Sequence, residues 1–261
     1  MLVFPQLSTG AAVLYPLRRW TGRRTVINTL ADGRTVVYAD LDGAARRWEV
    51  RAAGLRQTEM EAIEALFDAA KGPLETFTFL EPAGNLLARS EEFDAPEWDN
   101  DPLVGTTAGI DDPFGGTRAM RVLNASGVAV GGVKQPLAVP GTFRYALSVW
   151  ARAAGGSEVT LTAATASRAF TLTSEWRRIF LPVDLGLATE NVTFGAVLAA
   201  GDSVDLFGMQ VEAQLGASAY QKTSARGGVH GHARFAGEIS AVRAQGTDVY
   251  DAVIQIVSKA A

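Results

Sequence analysis

Cysteine is absent from the 261-residue chain, which excludes a disulfide scaffold, a thiolate zinc site, an iron–sulfur cluster and a cysteine nucleophile. Histidine is nearly absent too. His230 and His232 are the only two, thin material for imidazole catalysis or a multi-histidine metal centre. Basic residues are outnumbered, 24 Lys and Arg against 28 Asp and Glu, for a net charge of −4. A general nucleic-acid binder needs a basic surface to displace counterions, so no nucleic-acid partner is expected. No apolar run approaches the roughly 18–20 residues that span a bilayer, and no membrane insertion is expected. The opening Met1-Leu2-Val3-Phe4-Pro5 lacks the basic and apolar regions of a signal peptide. Missing as well are a Gly-x-Ser-x-Gly elbow, an HExxH pair, a P-loop and a GxGxxG turn, so the chain reads as a non-enzyme.

What the chain does have is length for one large domain or two modest ones, at roughly 100–200 residues each. Its charge is uneven. Residues 1–85 carry ten basic and ten acidic residues, residues 86–225 ten and fifteen, and residues 226–261 four and three. The acidic excess therefore belongs to the middle block. Turn-forming Glu81-Pro82-Ala83-Gly84-Asn85 and Arg226-Gly227-Gly228 mark its limits.

The first block predicts strands around one helix. Thr25–Leu30 and Thr35–Tyr38 flank Asp32-Gly33, a hairpin signal because the tight turn needs positive φ. Arg46–Arg51 is a half-buried strand. Thr58 with Glu61 is the expected capping box of a helix whose stripe is Ile63, Leu66, Phe67 and Ala70, and Gly72-Pro73 stops it. Leu74–Leu80 alternates, with Phe77 and Phe79 on one face.

The middle block has β periodicity throughout. Phe143, Tyr145, Leu147 and Val149 alternate, and Thr117–Leu123, Val159–Ala163, Phe170–Thr173, Arg178–Leu181, Val192–Leu198 and Val204–Val211 are further short strands. Strands at this spacing predict a β-sandwich or jelly roll. The last block supplies strands near Ala233–Ile239 and Val249–Val257. An isolated hairpin is marginal in water, so these are expected to return to the first block's sheet. The expected fold is mainly β: a β-sandwich domain with one α-helix (1–85 with 226–261), interrupted by an inserted β-sandwich or jelly roll (86–225).

Two resemblances follow. Trp48, the Thr58–Ala70 helix, "KGPLETFTFLEP" (Lys71–Pro82), "ARFAGEISAV" and "VYDAVIQIV" resemble the hub domain of bacteriophage distal tail proteins, the family that includes the lambda-type minor tail protein M. "NLLARSEEFDAPEWDND" (Asn85–Asp101), "GGVKQPLAVPGTFRYALSVWARA" (Gly131–Ala153), "FTLTSEWRRIFLPV" (Phe170–Val183) and "VDLFGMQVEAQLGASAYQKTSA" (Val204–Ala225) resemble carbohydrate-binding-module-like jelly rolls of phage tail and baseplate proteins. The resemblances imply a virion protein of the tail tip, made in the host cytoplasm. It would form a homo-oligomeric ring, a hexamer, that joins the tail tube protein to tip or baseplate hub proteins. Its inserted module would meet a host-surface polysaccharide. The alternatives are a sugar-binding adhesin or receptor-binding protein without a hub role, and a cell-envelope glycosidase, since paired carboxylates are decided by geometry.

Sugar rings stack on exposed aromatics, which makes Trp150, Trp98, Phe114 and Trp176 the candidate binding residues, with Tyr220 behind them. Trp150 alternates out of phase with Tyr145, Leu147 and Val149 and is expected to face away from their layer. No cofactor is expected. The acidic stretch from Glu91 leaves a structural Ca²⁺ open, with Asp99, Asp101, Asp111 and Asp112 as oxygen ligands, although a solvated acidic face is the default. His230 and His232 fall on one side of an extended segment. The Asn-x-Ser/Thr sequences at Asn124 and Asn191 are expected by chance.

Overall fold

The structure is a computed structural model that describes residues 1–7, 17–39, 45–82, 84–243 and 248–259. Ala83, part of the first expected turn, lies outside the described residues. The segment Leu80–Val229 forms one compact unit, and the described residues before and after it form another.

In the flanking unit, β1 (Arg18–Gly22) precedes the hairpin of β2 (Thr25–Thr29) and β3 (Thr35–Ala39). The hairpin turns where expected: Gly33 takes φ +81°, and the Asp32 carboxylate accepts the Arg34 N–H. The two strands form a sheet of their own, with Thr25 opposite Ala39 and Thr29 opposite Thr35. Then β4 (Ala45–Arg56) runs directly into α1 (Gln57–Ala69). The helix therefore begins before Thr58. Its N-cap is Arg56, whose backbone N–H is accepted by Glu59 Oε2 at 2.9 Å, so Thr58 and Glu61 lie inside the helix. Ile63, Leu66 and Ala70 are buried as the stripe requires, with Met60 beside them. Lys71 and Gly72 both take positive φ, and the Gly72 N–H closes the last turn on the Phe67 carbonyl. This left-handed pair delays the next strand, so β5 is only Phe77–Leu80 and Leu74 is exposed.

In the Leu80–Val229 unit nine strands follow: β6 (Val104–Ile110), β7 (Ala119–Asn124), β8 (Gly131–Leu137), β9 (Arg144–Arg152), β10 (Glu158–Ala163), β11 (Ala166–Thr171), β12 (Arg177–Asp184), β13 (Val192–Leu198) and β14 (Ser203–Glu212). They form a four-stranded sheet, β11-β10-β13-β8, and a five-stranded sheet, β12-β9-β14-β7-β6. The sheets pack face to face on alternate residues. Tyr145, Leu147 and Val149 from one meet Val159, Leu161 and Phe194 from the other, with the Tyr145 and Phe194 rings 5.4 Å apart. Burial raises the Tyr145 phenol above its ordinary pKa, and its hydroxyl donates to the Pro140 carbonyl at 2.6 Å. The unit reaches beyond 86–225 because the Glu81 N–H bonds the Gly228 carbonyl and the Gly228 N–H bonds that of Asn85, stitching its two ends together.

The chain closes with β15 (Val229–Phe235), β16 (Ser240–Arg243) and β17 (Val249–Lys259). These strands do return to the first sheet, in the order β1-β4-β17-β15-β5, with β16 also on β17. One face of this sheet shares a core with α1, in which Trp48, Val50, Phe79, Phe235, Ile254 and Ile256 are buried. The fold is mainly β with one α-helix among the described residues.

Candidate functional site

Period-two alternation leaves the five-stranded sheet a second face, turned away from the sandwich core. On β9 that face carries Ala146, Ser148, Trp150 and Arg152; on β14, Asp205, Phe207, Gln210 and Glu212; on β12, Arg178 and Phe180; on β7, Arg121 and Leu123. Register sets them in rows. Arg178 is opposite Trp150, and Trp150 is opposite Phe207. Arg152 is opposite Asp205, and Asp205 is opposite Arg121.

Half of this face is closed by the protein itself. The chain after β14 crosses it: the Gln221 N–H donates to Gln210 Oε1 at 2.7 Å, and the Ser218 N–H donates to Glu212 Oε2 at 3.0 Å. Arg178 donates to the Ser218 carbonyl and, at 3.0 Å, to Ser148 Oγ. Gln210, Glu212 and Ser148 are consequently fully buried. At the β14 bulge Gly208 has φ +63°, and a Cβ there would stand 2.9 Å from the Tyr220 ring, so this glycine lets Tyr220 pack on Phe207. The Asn85 side chain anchors the crossing. Its oxygen accepts the N–H groups of Leu87 and Val211, and its amide donates to the carbonyls of Met209 and Gln221. In the same segment Leu86, Leu87 and Phe93 are buried in the sandwich core, and Ser90 is buried as well.

The other half stays open. There the Arg152 guanidinium lies 4.7 Å from the centre of the Trp176 ring. Asp205, itself nearly buried, accepts Arg152 Nε at 3.1 Å and Arg121 Nε at 2.8 Å. The bond to Asp205, with its charge, raises the Arg121 pKa further. Next to this row is Trp150, with the exposed Phe114 edge-on at 5.6 Å. The indole N–H groups of Trp150 and Trp176 and the Nε–H of Arg178 are buried without an acceptor among the described residues. Leaving such donors unmade costs about 1–3 kcal/mol each, while the half-buried Trp150 and Trp176 rings and the exposed Phe114 give this face flat apolar surface.

Sequence reasoning named Trp150, Trp176 and Phe114, and the structure brings all three to this face. Trp98 is elsewhere. It is buried edge-on against Phe93 at 5.0 Å and donates to the Arg89 carbonyl, so it offers no ring face to a ligand. Tyr220 belongs to the closed half. Missed in the sequence were Arg121, Arg152 and Asp205, which meet only through strand register.

The four candidate calcium ligands do not converge. Asp99 and Asp111 are exposed. Asp101 accepts the Gly132 N–H and the Lys134 ammonium. Asp112 accepts the N–H groups of Phe114, Gly116 and Arg118 and the Arg118 guanidinium. Burial opposes its charge, yet those bonds prevail and its pKa is lowered. Its carboxylate is committed to shaping the loop that carries Phe114. Among the described residues no three His, Asp or Glu side chains gather as a metal would need. His230 packs on Trp48 at 4.6 Å between ring centres, while His232 is exposed. Asn124 is fully buried and bonded to three backbone carbonyls, a structural role. A groove of about 460 Å³ on the flanking unit's sheet, lined by Trp20, Arg47, Glu49 and Gln255 among others, holds one carboxylate and no nucleophile. Among the described residues no helix is long and apolar enough to cross a membrane.

No protein-family model matches the chain, and no curated protein matches it. Solved structures do. TmCBM61, in complex with β-1,4-galactotriose, is 14% identical, with 49% of this chain and 97% of that one covered at a TM-score of 0.38. The CBM22-1 xylan-binding domain of Paenibacillus barcinonensis Xyn10C is 14% identical, with 51% and 96% covered at 0.40. The enzymatically active domain of bacteriophage CBA120 tailspike protein 4 is 12% identical over 49% of this chain at 0.38, and the match spans only 21% of its length. Likeness at this level assigns neither ligand nor activity.

Proposed function

We propose that the Leu80–Val229 sandwich binds carbohydrate on the open half of its five-stranded sheet. One observation carries the reading: Trp176 and Trp150, half-buried on adjacent rows of one sheet face, stand beside Arg152, one of two arginines held by Asp205. Aromatic planes suit the apolar faces of sugar rings, and arginine donors suit ring substituents. No catalysis is assigned. Hydrolysis of a glycosidic bond needs two carboxylates about 5–9.5 Å apart, whereas the open row presents Asp205 alone, held by two guanidinium groups. The test is a glycan array probed with the full chain and with Trp176→Ala. Binding by the parent that the variant loses supports the reading, and equal binding by both overturns it.

We further propose that the flanking unit is an assembly domain, the ring-forming part of a phage tail-tip hub in contact with tube and tip proteins. The observation favouring it is the β2–β3 hairpin, a separate two-stranded sheet with Ile27, Val37 and Tyr38 mostly exposed. Such a hairpin is marginal in water and gains by docking. Arg18, Arg19, Arg23 and Arg24 lie at and before it, while the exposed side of α1 carries Glu61, Glu64 and Asp68. Opposite charges on one unit favour head-to-tail contacts between copies, which give a ring where the rotation closes. Light scattering decides: a closed oligomer is expected, and a monomer at high concentration contradicts this part.

A further inference from the structure

The charge of the open row says more about its ligand. The Leu80–Val229 unit has 11 basic and 16 acidic residues, a net of −5, so a neutral or basic ligand would suit most of its surface. The open row departs from that. Across adjacent strands it reads Trp176, Arg152, Asp205, Arg121, two guanidinium groups to one carboxylate.

Asp205 uses the Nε side of each arginine, through Nε of Arg152 and through Nε and Nη2 of Arg121. Both Nη groups of Arg152 and Nη1 of Arg121 make no bond to the described residues. The carboxylate therefore works as a brace that fixes two forks rather than as a full counterion. The Arg121 side chain remains half exposed, and Arg152, over the Trp176 ring, is a quarter exposed. A surface with excess donors and one uncompensated positive charge is complementary to an anion, and guanidinium forks match carboxylate and phosphate oxygens.

We propose that this face selects an anionic polysaccharide, one whose sugar rings lie on Trp176 and Trp150 while a carboxylate or phosphate substituent meets Arg121 and Arg152. The inference rests on the carbohydrate-binding reading and narrows it from sugars in general to acidic ones. Arg121 and Arg152 become the residues that determine specificity, and Asp205 the residue that positions them.

The experiment is an array of neutral polysaccharides printed beside uronate-bearing and phosphate-bearing ones, probed with the full chain at low and high NaCl. Binding confined to the anionic spots, weakening as salt rises, is expected, and the uronate and phosphate arms tell the two anions apart. Arg121→Gln and Arg152→Gln should each lower binding about tenfold with the melting temperature held, a loss of about 1.4 kcal/mol. Arg152→Lys should keep part of it. Binding to neutral and anionic glycans alike, or unaffected by the Gln variants, overturns the anionic inference and leaves the sugar-binding reading standing. No binding to any glycan by a folded chain overturns that reading and the inference with it.

Discussion

Arg152 and Trp176 meet face on, the guanidinium carbon 4.7 Å from the ring centre, although 24 residues of chain separate them. The stack holds the indole plane out from the start of β12 and orients the arginine toward Asp205. Because Trp176 is only half-buried at a strand end, Trp176→Ala should cost about 1 kcal/mol of stability, the scale of an exposed cation–π pair. Its effect on glycan binding should be much larger, tenfold or more. Urea unfolding and array binding on the same preparation separate the two effects.

Asn85→Ala tests what closes the other half of the face. The side chain is 2% exposed and makes four bonds to backbone groups from three parts of the chain. Its loss strands buried donors and acceptors, so a destabilisation on the order of 3 kcal/mol is expected in urea melts. A change within about 0.5 kcal/mol would mean that the crossing segment is not held this way.

At Gly208 the backbone is left-handed and the Tyr220 ring occupies the place of a Cβ. Gly208→Ala should therefore cost about 2 kcal/mol or more. Tyr220→Leu in the same background should recover part of that loss in thermal melts. No recovery would leave the backbone conformation alone responsible.

Asp112 gives the pH dependence a definite sign. Its folded pKa is depressed, so the folded state binds its proton less tightly than the unfolded chain does. The stability it contributes is complete above the unfolded carboxylate value and is lost as pH falls through the folded one. Melts of the parent and Asp112→Asn should differ at pH 7 and converge only once the pH has fallen through the depressed folded value, below the ordinary carboxylate range. A gap that persists in acid would show that the loop does not depend on the charge.

Val37→Asp and Ile27→Asp address the hairpin. Both side chains are more than half exposed, so each substitution should leave the melting temperature of a dilute sample within a degree or two while breaking the proposed oligomer, as light scattering would read. An unchanged oligomer would move the contact elsewhere.

Much of the fold was legible in the sequence where one residue type has one cheap conformation. Asp32-Gly33 announced its hairpin, and the Ile63–Ala70 stripe announced the helix. The helix start was misread because a Thr with a Glu three residues on looks like a cap wherever it falls, while here β4 runs unbroken into Arg56 and Glu59 does the capping. Strands β6, β8, β16 and β1 went unseen. Gly105, Gly109, Gly131, Gly132 and Pro136 dilute the pattern in the first two, and the four residues of β16 are too few to show one. The site was half visible. Phase placed Trp150 outward, yet nothing local distinguished buried Trp98 from half-buried Trp176. The Arg121–Asp205–Arg152 brace joins three strands by register, a relationship that no spacing along the chain encodes.

The five tryptophans provide the most direct measurement of the central claim. Each contributes one indole N–H signal, and the five occupy different environments: Trp20 exposed, Trp48 and Trp98 buried, Trp150 and Trp176 on the open row. In ¹⁵N spectra of the full chain titrated with an acidic oligosaccharide that the array selects, the Trp150 and Trp176 signals should shift while those of Trp48 and Trp98 stay in place. Shifts confined to Trp20, or no movement of Trp150 and Trp176 at saturating sugar, would contradict the assignment of this face as the binding site.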